Sequence, residues 1–123
     1  MACSKGKKQE NRITGAGIYM KIIYIAGPYR GKPTHGQSEN ISRARIAARK
    51  LWAEGWAVLC PHLNTAWFDQ YYQEIPTQAY LDGGLEMVKR CDAIFMLKDW
   101  EISEGSKAEL AYAIAEGLEV IYE

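Results

Sequence analysis

The sequence is short of cysteine, short of histidine and without surplus charge, and each shortage removes a class of function. Its three cysteines, Cys3, Cys60 and Cys91, form no Cys-x-x-Cys pair, and neither of its two histidines lies near one. A thiolate–imidazole metal site needs closely spaced ligands, so no metal and no cofactor are expected. The odd count and wide spacing also argue against a disulfide framework. Cys60 and Cys91 read as reduced, buried, strand-adjacent residues of a cytoplasmic protein. Fifteen basic residues balance fifteen acidic ones. Gripping a nucleic-acid polymer takes excess positive charge, so no such partner is expected, although a small anionic ligand needs only a local site. No apolar run reaches the ~18 residues of a membrane span, and residues 1–19 hold no apolar stretch of the secretory-signal type. No membrane partner is expected.

The chain itself is 123 residues, 48% hydrophobic, enough for one core and too few for two. Residues 1–19 read as a disordered leader or tag: Cys3–Asn11 is polar and Lys-rich, and Gly15 and Gly17 follow. Residues 20–123 read as a single domain. Met20–Ala26 is an apolar, β-branched run stopped by Gly27-Pro28 and predicts a buried strand. A helix is predicted over about 39–55, with Ile41, Ala44, Ile46, Ala47, Leu51 and Trp52 near helical spacing and Ser38 or Asn40 as its cap. Further strands are predicted at Trp56–Cys60, Ala93–Leu97 and Leu118–Tyr122. Helices are predicted at about 77–90 and 106–116, the second ending at Gly117. The aromatic segment His62–Tyr72 shows no period and is long for a connection.

Strands that are short, apolar and non-alternating, each followed by a helix, indicate an α/β domain with a mostly parallel sheet of four or five strands covered on both faces. Ligands of such sheets sit beyond the carboxyl ends of the strands. That rule selects Gly27–Gly31, Pro61–Asn64 and Lys98–Glu109.

In the first place, Gly27, Pro28, Tyr29, Arg30 and Gly31 combine glycines that admit a ligand close to backbone with an arginine able to hold phosphate or carboxylate. A plain turn with a solvated arginine explains the same residues. In the third place, Ser106 and Glu109 have the S-x-x-E spacing of a capping box, the simpler reading of the pair viewed alone. The functional reading gathers Ser103, Gly105 and Ser106 around a helix N-terminus that attracts anions, with Glu109 directed into the same cleft as a nucleophile. Asp82 is the candidate second carboxylate for proton handling, and it is equally well read as a helix cap. Tyr24, near the end of the first strand, is either core or a hydrogen-bond donor to a catalytic carboxylate. His62 and Asn64 lie in the loop that would touch a sugar or base. Trp67, Phe68, Tyr71 and Tyr72 suit a dimer contact or packing better than base stacking.

Taken in order, Tyr24-Ile25-Ala26-Gly27-Pro28-Tyr29-Arg30-Gly31, Cys60-Pro61-His62, Arg90-Cys91-Asp92-Ala93 and Ser103-x-Gly105-x-x-x-Glu109-Leu110-Ala111-Tyr112-Ala113 resemble the nucleoside 2-deoxyribosyltransferase superfamily. The closest look is to its short, often phage-encoded members. The resemblance spans residues 20–123. It implies a flavodoxin-like three-layer α/β sandwich and chemistry at the N-glycosidic bond of a deoxynucleoside or deoxynucleotide. It further implies Glu109 as the nucleophile of a covalent deoxyribosyl intermediate, Tyr24 as its contact, and a homo-oligomer. Ser103, six residues before Glu109, matches the phosphate-binding serine of the monophosphate N-glycosidases rather than the aspartate of the transferases, and Arg30 matches their phosphate-contacting arginine. A carboxylate would repel phosphate where a hydroxyl donates to it. One position departs from the pattern. Gly84 stands where the family has an aspartate, and Asp82 is two residues away, about 200° around a helix. A nucleotide-binding module without turnover is the alternative this departure raises.

Overall fold

The computed structural model describes residues 12–14, 17–30 and 36–123. Arg12–Thr14 (β1) and Gly17–Tyr19 (β2) pair antiparallel. They fall within the stretch read as a leader, and the rest of that stretch lies outside the described residues. Then follow Ile22–Ala26 (β3), Gln37–Ala53 (α1), Ala57–Leu59 (β4), Pro61–Asn64 (α2), Phe68–Tyr71 (α3), Thr77–Lys89 (α4), Ala93–Met96 (β5), Glu104–Ala115 (α5) and Glu119–Tyr122 (β6).

β3, β4, β5 and β6 form one four-stranded, wholly parallel sheet in the order β4-β3-β5-β6. The order reverses at β3: the chain goes outward to β4, then returns past β3 to β5. Alternation along β3 divides the core. Ile23 and Ile25 face α1, packing with Ala44, Ala47, Ala48 and Leu51. Tyr24 and Ala26 face the opposite side, with Val88 of α4 and Leu110 and Ala113 of α5. Helices therefore cover both faces, as the non-alternating apolar strands require, and the three-layer flavodoxin-like sandwich is the fold observed. Asp92, at the foot of β5, accepts a hydrogen bond from the Ile22 amide at 2.8 Å and ties two strand starts together.

Some element details differ from the sequence reading. Ile46 and Trp52 are exposed, at 62% and 54%. The buried residues of α1 are Asn40, Ile41, Ala44, Ala47, Ala48 and Leu51, and Ile46 lies about 200° from Ala44 on that helix. Gly36 occupies the α1 N-cap position with no side-chain cap, so neither Ser38 nor Asn40 caps the helix. Residues 61–71, read as aperiodic, contain two single-turn helices. Gly117 takes a left-handed φ of +79° just after α5, the conformation that ends a helix at low steric cost. Cys60 and Cys91 are buried free thiols. Among the described residues, no helix is long and apolar enough to cross a membrane.

Candidate active site

Beyond the carboxyl ends of β3 and β5, where the strand order reverses, a cavity of about 380 Å³ opens. Its floor is the end of β3 and the following Gly27–Arg30 segment. One wall is the start of α5 with Ser103, Gly105, Ser106 and Glu109, and another is the α2–α3 region with His62 and Asp69.

Tyr24 and Glu109 meet at the bottom. The Tyr24 hydroxyl donates to Glu109 Oε2 at 2.5 Å. Ser106, Leu110 and Ala113 form the buried face of α5, and Glu109 stands at the border of that stripe. Burial pushes its carboxyl up from 4.5 to about 7, with the Tyr24 hydrogen bond pulling the other way. Tyr24 is raised as well, chiefly by burial and then by the neighbouring carboxylate, so it remains a protonated donor. A carboxyl balanced near neutrality and held by one donor is the state expected of a nucleophile or proton carrier.

The helix that carries Glu109 starts earlier than its sequence suggests. Ser103 is the N-cap, and its Oγ accepts from the Ser106 amide at 3.1 Å. The capping-box reading of Ser106 and Glu109 is thereby overturned: Ser106 is a buried first-turn residue, and Glu109 belongs to the second turn. With its acceptor role filled, the Ser103 hydroxyl still has a proton to donate. Together with the α5 N-terminus it faces the cavity with positive character.

Arg30 lines the cavity and is exposed, its Nη2 3.5 Å from Thr77 Oγ1. Asn40, buried in the first turn of α1, supports it: Nδ2 donates to the Tyr29 and Arg30 carbonyls, both at 3.2 Å. The Tyr29 hydroxyl accepts from the Trp67 amide at 2.7 Å and lies 3.4 Å from both the Thr65 carbonyl and Asp69 Oδ1. Tyr29 thus joins the β3 loop to the α2–α3 segment. His62 is buried, with Nε2 2.9 Å from the Pro28 carbonyl. A carbonyl can only accept, so Nε2 carries the hydrogen, and burial lowers the histidine pKa and keeps the ring neutral.

Two of the described residues proposed from sequence, Asp82 and Asn64, are not brought to this cavity. Asp82 sits in the continuous helix α4, exposed, with Oδ1 accepting from Gln78 Nε2 at 2.9 Å. The position two residues on, Gly84, is the one that faces Glu109: a Cβ there would lie 2.7 Å from Glu109 Oε2 and 2.9 Å from the Tyr24 hydroxyl. Helical phase therefore turns Asp82 away from Glu109. Asn64 borders a separate, smaller cavity of about 170 Å³ between α2 and α4. Gly31 lies outside the described residues.

The sequence reading missed Asp69, Thr77 and Tyr80, which also line the cavity. Asp69 Oδ1 accepts from Gln37 Nε2 at 3.0 Å, an α1-to-α3 link. A lone polar residue in an aperiodic segment and the first turn of a helix gave no local signal for this. Trp67, Tyr71 and Tyr72 stay exposed, and Phe68 packs edge-on against Tyr72 with ring centroids 5.0 Å apart.

Residues 20–122 match the family described as Domain of unknown function (DUF4406). The chain belongs to that family. Among solved structures, this DUF4406 chain is similar to a 2-desoxiribosyltransferase from Leishmania mexicana, with 25% identity and a TM-score of 0.49. The match covers 83% of this chain and 63% of that one, so the chain spans less than two thirds of that enzyme's length. No curated protein matches the chain.

Proposed function

We propose that this DUF4406 domain breaks or transfers the N-glycosidic bond of a 2′-deoxynucleotide through a covalent deoxyribosyl–Glu109 intermediate. The observation that carries the reading is the Tyr24–Glu109 pair at the base of a cavity placed at the switch point of the sheet. A Glu109 oxygen forms a bond to C1′ as the C1′–N bond breaks, and the base departs with that electron pair and takes a proton from water. Water or a second base then attacks C1′, the C1′–O bond breaks, and the carboxylate is restored. Tyr24 donates to the carboxylate and orients it. The α5 N-terminus, with Ser103, Gly105 and Ser106, receives a 5′-phosphate, and Arg30 approaches the same anion from the β3 loop.

Incubation with each deoxynucleoside 5′-monophosphate, with and without an acceptor base, tests this by release of free base. Glu109→Gln abolishes release. Intact-mass analysis of a rapidly quenched reaction finds the deoxyribosyl-phosphate adduct on wild type alone. No release from any deoxynucleotide would sink the catalytic reading.

A second reading, nucleotide binding without turnover, draws support from Gly84, which presents backbone to Glu109 where a proton-handling side chain would stand. It predicts calorimetric binding of the same nucleotides, no base release, and little change in affinity in Glu109→Ala.

A further inference from the structure

Helix α4 carries two adjacent glycines, and they have opposite surroundings. A Cβ added at Gly83 meets nothing within 4 Å. A Cβ added at Gly84 meets the Glu109 carboxyl oxygen at 2.7 Å and the Tyr24 hydroxyl at 2.9 Å. Contacts under 3.0 Å force something to shift. The Glu109 carboxyl, at the far end of a flexible side chain, is the group that can shift at low cost. The Tyr24 ring is buried in the sheet core, and its hydroxyl is bound to Glu109. Glu109 comes from the opposing helix α5, which packs on α4.

We infer that Gly84 is a positioning residue: its missing side chain is what allows the Glu109 carboxyl to lie against the α4 backbone within reach of the Tyr24 hydroxyl. A methyl group at position 84 drives the carboxyl outward into the cavity and breaks the Tyr24 hydrogen bond. The outward carboxyl meets more water and less protein. Desolvation, which raises its pKa, is the larger effect, and the Tyr24 hydrogen bond, which lowers it, is the smaller, so with both relieved the displaced group titrates closer to an ordinary glutamate. Helix propensity makes the opposite demand. Glycine is the poorer helix former at both positions, and alanine would favour α4 at either. The packing argument stands on geometry. Its catalytic consequence rests on Glu109 being the nucleophile proposed above: position 84 then sets both where the nucleophile lies and how much of it is ionised at neutral pH.

The test compares Gly83→Ala with Gly84→Ala. A carbon-detected NMR titration follows the Glu109 carboxyl directly, so its result does not depend on any substrate being turned over. We expect the midpoint near 7 in wild type and in Gly83→Ala, and a fall of about one unit or more in Gly84→Ala. A midpoint in Gly84→Ala equal to that of wild type overturns the inference. Thermal unfolding adds a second arm that tolerates a destabilised variant. Gly84→Ala is less favourable for Tm when Glu109 is present than in a Glu109→Ala background, where only the Tyr24 hydroxyl contact at 2.9 Å remains against the gain in helix propensity. An equal change in both backgrounds also overturns the inference. Failure of base release with these shifts intact would count against the catalytic reading and leave the positioning role standing.

Discussion

At the scale of the residue, the proposed mechanism has Glu109 couple stability to activity through one proton. Its carboxyl is raised from 4.5 to about 7 in the folded chain, so between those values the folded state holds a proton that the unfolded state has released. Its contribution to stability is then greatest below 4.5 and is lost as pH rises through about 7. Urea unfolding at about pH 5 and about pH 8 should show this decline, and Glu109→Gln should remove Glu109's share of it. In the proposed mechanism attack on C1′ needs the ionised form, so the single-turnover rate of base release is expected to climb with pH and level off above about 7. In Tyr24→Phe the donor that lowers this pKa is lost. The rise therefore moves to higher pH, and a pH–rate profile would expose a midpoint that stays put.

The same scale shows what local sequence could reveal. Glu109 and Tyr24 were both legible as candidates, because each stands in a recognisable pattern at the end of a strand or the start of a helix. Asp82 was misplaced, because on the helix expected over 77–90 it lies about 200° from position 84, the one that faces Glu109. The observed helix from Thr77 turns the carboxylate to the outside. Asp69, bound to Gln37 across 32 residues, had no pattern that could announce it.

At the scale of the element, α5 has a cap that also faces the cavity. Removing an N-cap hydroxyl costs about 1 kcal/mol, so Ser103→Ala should lower stability by that order in denaturant titration. Ser103→Asp separates the two duties of this residue. Aspartate caps a helix as well as serine does, so stability is retained. Its charge would face the 5′-phosphate, so binding of a deoxynucleoside monophosphate should fall about tenfold or more, while the unphosphorylated nucleoside is spared. Calorimetry with both ligands reads the difference; equal losses for the two would exclude a phosphate beside Ser103. Element boundaries were less legible than element types. The capping box read at Ser106 lay three residues too late, because Ser103 is the residue that forms the amide cap. Asn40 is used differently again. It lies inside α1 and holds the Tyr29–Arg30 backbone, a task set by the loop packed against it.

At the scale of the whole molecule, two cores share one sheet, and Trp56 is a fully buried member of the α1 side. Its loss should be felt throughout: Trp56→Ala is expected to cost roughly 3–5 kcal/mol, out of the ~5–15 kcal/mol typical of a domain, with no direct contact with the Tyr24–Glu109 pair. Denaturant unfolding would measure it, and a cost below about 1 kcal/mol would contradict the packing described.

The sequence by itself determined the strand and helix types, the parallel sheet and the end of the sheet where a ligand would sit. Those properties follow from apolar runs, periodicity and glycine or proline stops, all written within a few neighbouring residues. Tertiary structure decided which groups meet. Tyr24 and Glu109 are 85 residues apart, and Gly84 lies against both from a third element. Their meeting depends on strand order and on the rotational phase of α4 and α5, and both are fixed by how two helices pack on one face of the sheet rather than by any local pattern.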